Sequence, residues 1–146
     1  MNEPVYRVRL DRAALGSSLV GTGAQMASLL SIAQQGADAL TWYAADVVPW
    51  FDRPELGSMT PTKLGNTSDA VRFASAASAF DSAVFTAVGA HVSAPTFHDD
   101  ALSSEDDEDD LDLRDAVVEI RAFDSTYLFV ATSHAGIAAA LQRTYG

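Results

Sequence analysis

Two periods organise the chain. A period of two appears at Val5–Leu10, where Tyr6, Val8 and Leu10 alternate with Val5, Arg7 and Arg9. Alternation puts successive side chains on opposite faces, so it predicts a half-buried strand. The same period returns at Ala83–Val92, Ala116–Phe123 and Tyr127–Thr132, and Leu40–Val48 is rich in aromatic and β-branched residues and ends at Pro49. A period of 3.6 appears in Met26, Leu29, Leu30 and Ala33, which fall on one helical stripe. Thr22 and Gln25 stand ahead of it at capping-box spacing, and Gly36 follows it, so a helix is predicted from about Gly23 to Gln35. Ser68 offers the N-cap of a second helix with a stripe of Phe73, Ala77, Phe80 and Val84, and Asp69 suits its positive end. Ser133 offers the cap of a last helix with a stripe of Ile137, Ala140 or Leu141, and Tyr145. Between the elements, Trp50–Thr67 reads as a long loop, and Asp124-Ser125-Thr126 as a hairpin turn.

The order is strand, helix, strand, loop, helix, strand, acidic loop, strand, strand, helix. It predicts a single α+β domain with a mostly antiparallel sheet of about five strands and about three helices, mainly on one face. A length of 146 residues, 48% of them hydrophobic, suits one domain with one core. The main ambiguity is Ala83–Val92, which would otherwise continue the preceding helix.

Charge changes this picture in one place. The chain carries 20 acids and 9 bases. Ten of the acids lie between Asp99 and Asp115, where Arg114 is the single base. Glu105, Asp106, Asp107, Glu108, Asp109 and Asp110 are consecutive. Six like charges repel and cannot be buried unpaired, so this loop either is solvated or lies against something cationic. The acidic balance argues against direct nucleic-acid binding.

Sequence chemistry points away from cofactors. Cysteine is absent, which removes disulfides, thiolate metal sites and a cysteine nucleophile. Gly16, Gly21 and Gly23 invite a phosphate-loop reading, but Thr22 and Gly23 stand where lysine and Ser/Thr are needed. His91 and His98 are seven apart across Pro95, a spacing that fixes no metal geometry. Ser133 and His134 are sequence neighbours and define no triad. No metal or organic cofactor is expected. No 18-residue apolar run is present, and Met1–Arg12 is charged and alternating, so the expectation is a cytoplasmic protein without a membrane contact.

Trp42, Tyr43, Asp46, Trp50, Phe51, Asp52 and Arg53 concentrate aromatic and charged side chains at a strand end and its loop. Aromatics with arginine are the usual anchors of interfaces, so Trp50, Phe51 and Arg53 are the candidate anchors and Glu105–Asp110 the candidate steering charge. The alternative places Trp42 and Phe51 in the core, with Trp50 covering the sheet edge.

Two stretches carry a resemblance: Trp42-Tyr43-Ala44-Ala45-Asp46-Val47, and Arg121-Ala122-Phe123-Asp124-Ser125-Thr126-Tyr127 with a short closing helix. They resemble small uncharacterised bacterial α+β proteins, some of which look like immunity proteins encoded beside secreted polymorphic toxins. The 26 alanines and the eight arginines to one lysine fit a bacterial source. The resemblance supplies no site residues. It implies an inhibitor that blocks a cationic protein partner, such as a toxin domain. An enzyme or small-ligand binder with a pocket at the sheet end, and a non-inhibitory adaptor, stand as alternatives.

Overall fold

The computed structural model describes residues 4–50, 53–57, 61–92 and 113–146. Among these residues the chain runs β1 (Tyr6–Leu10), α1 (Arg12–Leu15), α2 (Gly23–Gln35), β2 (Leu40–Pro49), β3 (Thr62–Gly65), α3 (Thr67–Ser75), β4 (Phe80–Gly89), β5 (Val118–Phe123), β6 (Tyr127–Thr132) and α4 (Ala135–Tyr145). The strands form one sheet in the order β1-β6-β5-β4-β2-β3, antiparallel throughout. The helices pack on one face, so the expected α+β architecture holds. The sheet has six described strands where the sequence suggested about five.

The extra strand is β3, inside the stretch read as loop. Thr62–Gly65 is short and pairs with β2 alone at the sheet edge, so it shows too few alternations to register as a pattern. The helix expected to start at Ser68, α3, is capped two residues earlier than expected. Asn66 accepts from the Asp69 amide while Asp69 returns a bond to the Asn66 amide, a reciprocal cap built on a residue before Ser68. The helix ends at Ser75, so Phe80 and Val84 belong to β4 and not to the helical stripe. His134, and not Ser133, caps α4.

α2 follows its sequence signals closely. Thr22 and Gln25 form the capping box, and Gln25 Nε2 also donates to the Leu19 carbonyl. Met26, Leu29, Leu30 and Ala33 are buried against the sheet. Facing them are Trp42 and Ala44 of β2, Phe85 and Ala87 of β4, Ile120 of β5 and Val130 of β6. Full burial of the larger of these side chains, Met26, Leu29, Leu30, Phe85, Ile120 and Val130, contributes roughly 1.5–3 kcal/mol each. Close approach between helices needs glycine: a Cβ on Gly23 would strike the carbonyls of Ala74 and Ala77 in the α3 region.

Two backbone devices shape the sheet. The β2–β4 register slips between Ala45 and Val48, where Asp46 takes φ +49° and its carbonyl accepts from the Ser82 hydroxyl. Such a bulge bends and twists the strand. The β5–β6 turn places Asp124 and Ser125 at φ +49° and +55°, with the Thr126 amide donating to the Phe123 carbonyl. Left-handed central residues match the natural twist of a tight hairpin, so the expected turn is present at the expected residues.

Candidate functional site

Three places in the described structure gather chemistry. The first is the turn after β2. The Trp50 amide donates to the Ala79 carbonyl, and the Arg53 amide to the Trp50 carbonyl, so the turn is tied to the start of β4. Trp50 is half-buried there. Arg53 has structural work: its Nε donates to Glu55, and its Nη1 donates to the Ala76 carbonyl at 2.8 Å, which satisfies an orphan acceptor at the end of α3. The Arg53 hydrogen bond holds the Glu55 carboxyl below the ordinary carboxylate range. Phe51 and the six consecutive acids Glu105–Asp110 lie outside the described residues. Trp42, weighed as a core residue, is fully buried.

The second place is a cleft of about 380 Å³ at one end of the sheet. Asp38, Leu40, Gly89, His91, Val117 and His134 line it. His134 enters as a helix cap. Its Nδ1 accepts from the amides of Gly136 and Ile137, so the ring hydrogen sits on Nε2. The His134 amide donates to the Thr132 hydroxyl, which in turn donates to the Val117 carbonyl. These bonds fix the ring against β6 and leave one imidazole donor for an acceptor in the cleft. Among the described residues no three His, Asp or Glu side chains stand close enough to hold a metal ion.

The third place is the sheet face opposite the helices. Register puts Val84 and Thr86 of β4, Glu119 and Arg121 of β5, and Phe129 and Ala131 of β6 on it. Alternation in the sequence implied that this face is wet. Instead Val84, Thr86, Glu119 and Arg121 are 0–1% exposed. Glu119 and Arg121 pair with each other at 2.6 Å. A buried charge survives only with such a partner. Leu113 and Ala116 pack on Phe129 and Ala131. Toward the β1 edge, Arg9 sits 4.2 Å above the Tyr127 ring, which stacks on Phe123 at 5.3 Å.

This face escaped sequence reading for a physical reason. A strand with charges on one face has the same pattern whether water or protein covers that face. The available signal was the apolar character of Leu113 and Ala116 beside the acidic run.

No family model, curated protein or solved structure matches the chain.

Proposed function

We propose that the chain is a small acidic protein-binding domain of the inhibitor or immunity type, which blocks a cationic partner such as a toxin domain. One observation carries this reading. β4 and β5 are hydrogen-bonded antiparallel neighbours, paired from Ser82↔Phe123 to Ala87↔Val118. Strands so placed need a connection of only about 2–5 residues. Here everything from Ala90 to Val117 separates them. Within that connection, residues 93–112 hold nine acids and no base, while the described residues hold nine bases and nine acids. Over the full sequence, the residues outside 93–112 hold eleven acids and nine bases, so they are nearly neutral and the negative charge is concentrated in that one connection.

Long connections in compact domains are where binding residues collect. A concentrated charge creates a directed field, which speeds encounter with an opposite charge more than it deepens affinity. Trp50, at the opposite side of β4 in the sheet order, supplies aromatic surface for affinity. Arg53 contributes by holding the turn that presents Trp50.

The test uses the full chain as bait in the bacterium that encodes it, followed by an activity assay of the captured protein. The reading expects a cationic partner, released as salt is raised, whose activity stops when the chain is added in equal amount. Capture of partners that are acidic, or whose activity is untouched, contradicts it.

The sheet-end cleft favours a second reading, a small-ligand binder. Its test is a ligand-screen by NMR, in which shifts clustered at His91 and His134 support it.

A further inference from the structure

The sheet-end cleft is framed by three backbone contacts. Leu40 pairs with Gly89, so the segments that carry Asp38 and His91 leave the sheet side by side. The Ser133 amide donates to the Val117 carbonyl at 3.1 Å, which sets His134 beside the start of β5. Gly36 lies so close to Gly136 that a Cβ on it would come within 2.3 Å of the Gly136 carbonyl oxygen, and this contact joins the Asp38 side to the His134 side. The cleft is therefore built into the ends of the sheet and helices, and its volume of about 380 Å³ suits a small molecule.

Its lining has two characters. Leu40, Ala90 and Val117 are among its apolar residues, and Asp38, His91 and His134 supply the polar groups. Asp38 is exposed, and Gln34 Nε2 donates to its main-chain carbonyl at 3.1 Å, which fixes the loop without using the carboxylate. The His91 ring lies over Gly89, where a Cβ would come within 2.8 Å of the ring's Cε1, so the missing side chain makes the ring's place. His134 is fixed by its cap bonds and offers one donor, the Nε2 hydrogen. The three polar side chains do not converge on one point, since among the described residues no three His, Asp or Glu can hold a metal ion. They address separate groups instead. A carboxylate and an imidazole donor set apart on an apolar lining require a ligand with a cationic donor at one place, an acceptor at another and an apolar group beside them. The chain's formal charge of −11 disfavours a ligand of net negative charge. A lone cation would leave the His134 donor without an acceptor.

We propose that the cleft binds a free α-amino acid with an apolar side chain. Its ammonium group meets the Asp38 carboxylate, its carboxylate accepts from His134 Nε2, and its side chain lies against Leu40 and Val117. Such a molecule is neutral overall and still satisfies both polar ends. The inference rests on the small-ligand reading of the cleft and adds the ligand's class, and partner capture can fail while it stands.

The test is an NMR titration of the full chain with three probes: leucine, isoamylamine, which lacks the carboxylate, and isocaproate, which lacks the ammonium group. Leucine is expected to shift the amides of Asp38, Ala90, Val117 and His134. Each half-ligand loses one hydrogen bond to a charged group and is expected to bind at least about tenfold more weakly. Asp38→Asn should weaken leucine about tenfold and leave isocaproate unchanged. His134→Asn keeps a side-chain acceptor for the first amides of α4 and removes the Nε2 donor, so it should weaken leucine and isocaproate and spare isoamylamine. Half-ligands that bind as tightly as leucine overturn the proposal, as does Asp38→Asn weakening isocaproate as much as leucine. Shifts at the cleft from other compounds but not from leucine also overturn it, while the small-ligand reading stands. No shift at the cleft from any compound overturns both.

Discussion

Gly36 and Gly136 meet backbone to backbone: a methyl on either would fall onto the carbonyl of the other. This contact brings the end of α2 against the start of α4 beside the cleft that His134 lines. Gly36 has an ordinary right-handed backbone, φ −93°, so its requirement is space and not conformation. Gly16 is the reverse case, φ +63° with open space around it. Gly36→Ala and Gly136→Ala are each expected to cost about 1–3 kcal/mol by overpacking. Gly16→Ala is expected to cost about 1 kcal/mol, from the left-handed backbone alone. Urea unfolding of the three variants measures the difference.

A partly buried polar chain at the edge of the core sets the second prediction. Trp42 Nε1 donates to Thr67 Oγ1 at 2.9 Å, and Thr67 donates to Gln34 Oε1. Gln34 Nε2 then donates to the carbonyls of Ala37 and Asp38, which ties β2, α3 and α2 together. Thr67→Val keeps the shape but strands the indole N–H and the Gln34 oxygen. The expected loss is about 1–3 kcal/mol. Thr67→Ser, which keeps the hydroxyl, should recover most of it in thermal denaturation.

Glu119 and Arg121 should behave as a unit. Removing one partner takes from the other its 2.6 Å ion pair in a buried setting, so Glu119→Gln and Arg121→Met are each expected to cost about 3–5 kcal/mol. The double variant should be far less unstable than the sum. Additive losses in a double-mutant cycle would mean that the two side chains do not stabilise each other.

The β5–β6 turn can be improved. Ser125 holds φ +55°, which glycine adopts without strain. Ser125→Gly is expected to raise stability by about 0.5–1 kcal/mol, read as a shift in denaturation midpoint.

Stability should fall at both ends of the pH scale for separate reasons. Burial raises the Tyr145 hydroxyl above its usual value of 10.0. The unfolded chain then ionises first, so this contribution is lost as pH rises through the folded value, and Tyr145→Phe should flatten the alkaline limb. Glu55 is the opposite case, held below 4.5 by its bond from Arg53. Its contribution is present above the unfolded value and lost as pH falls through the folded one, so Glu55→Gln should flatten part of the acid limb.

Much of the fold was legible because its signals are local. Thr22, Gln25 and Gly36 bracket α2 by capping chemistry, and Asp124–Ser125 mark a hairpin by backbone preference. β3 was not legible, because Thr62–Gly65 is an edge strand with little buried surface to pattern it. Asn66 and Asp69 were readable as a capping box, and the nearby Ser68 masked them. Of the candidate anchors, Trp50 is seen on its turn, while the Arg53 bond to Ala76 depends on the end of a helix 23 residues away. The Glu119–Arg121 pair is equally non-local in meaning: neither side chain says in sequence whether water or protein lies above it.

The central claim is that the acidic connection steers the domain onto a cationic partner. Stopped-flow association with the captured partner tests it most directly, at low and at raised salt. The compared variant carries Glu105→Gln, Asp106→Asn, Asp107→Asn, Glu108→Gln, Asp109→Asn and Asp110→Asn. The account predicts that wild type associates at least about tenfold faster at low salt, that salt slows wild type and barely affects the variant, and that dissociation changes little. Equal association rates for wild type and variant in low salt would contradict it.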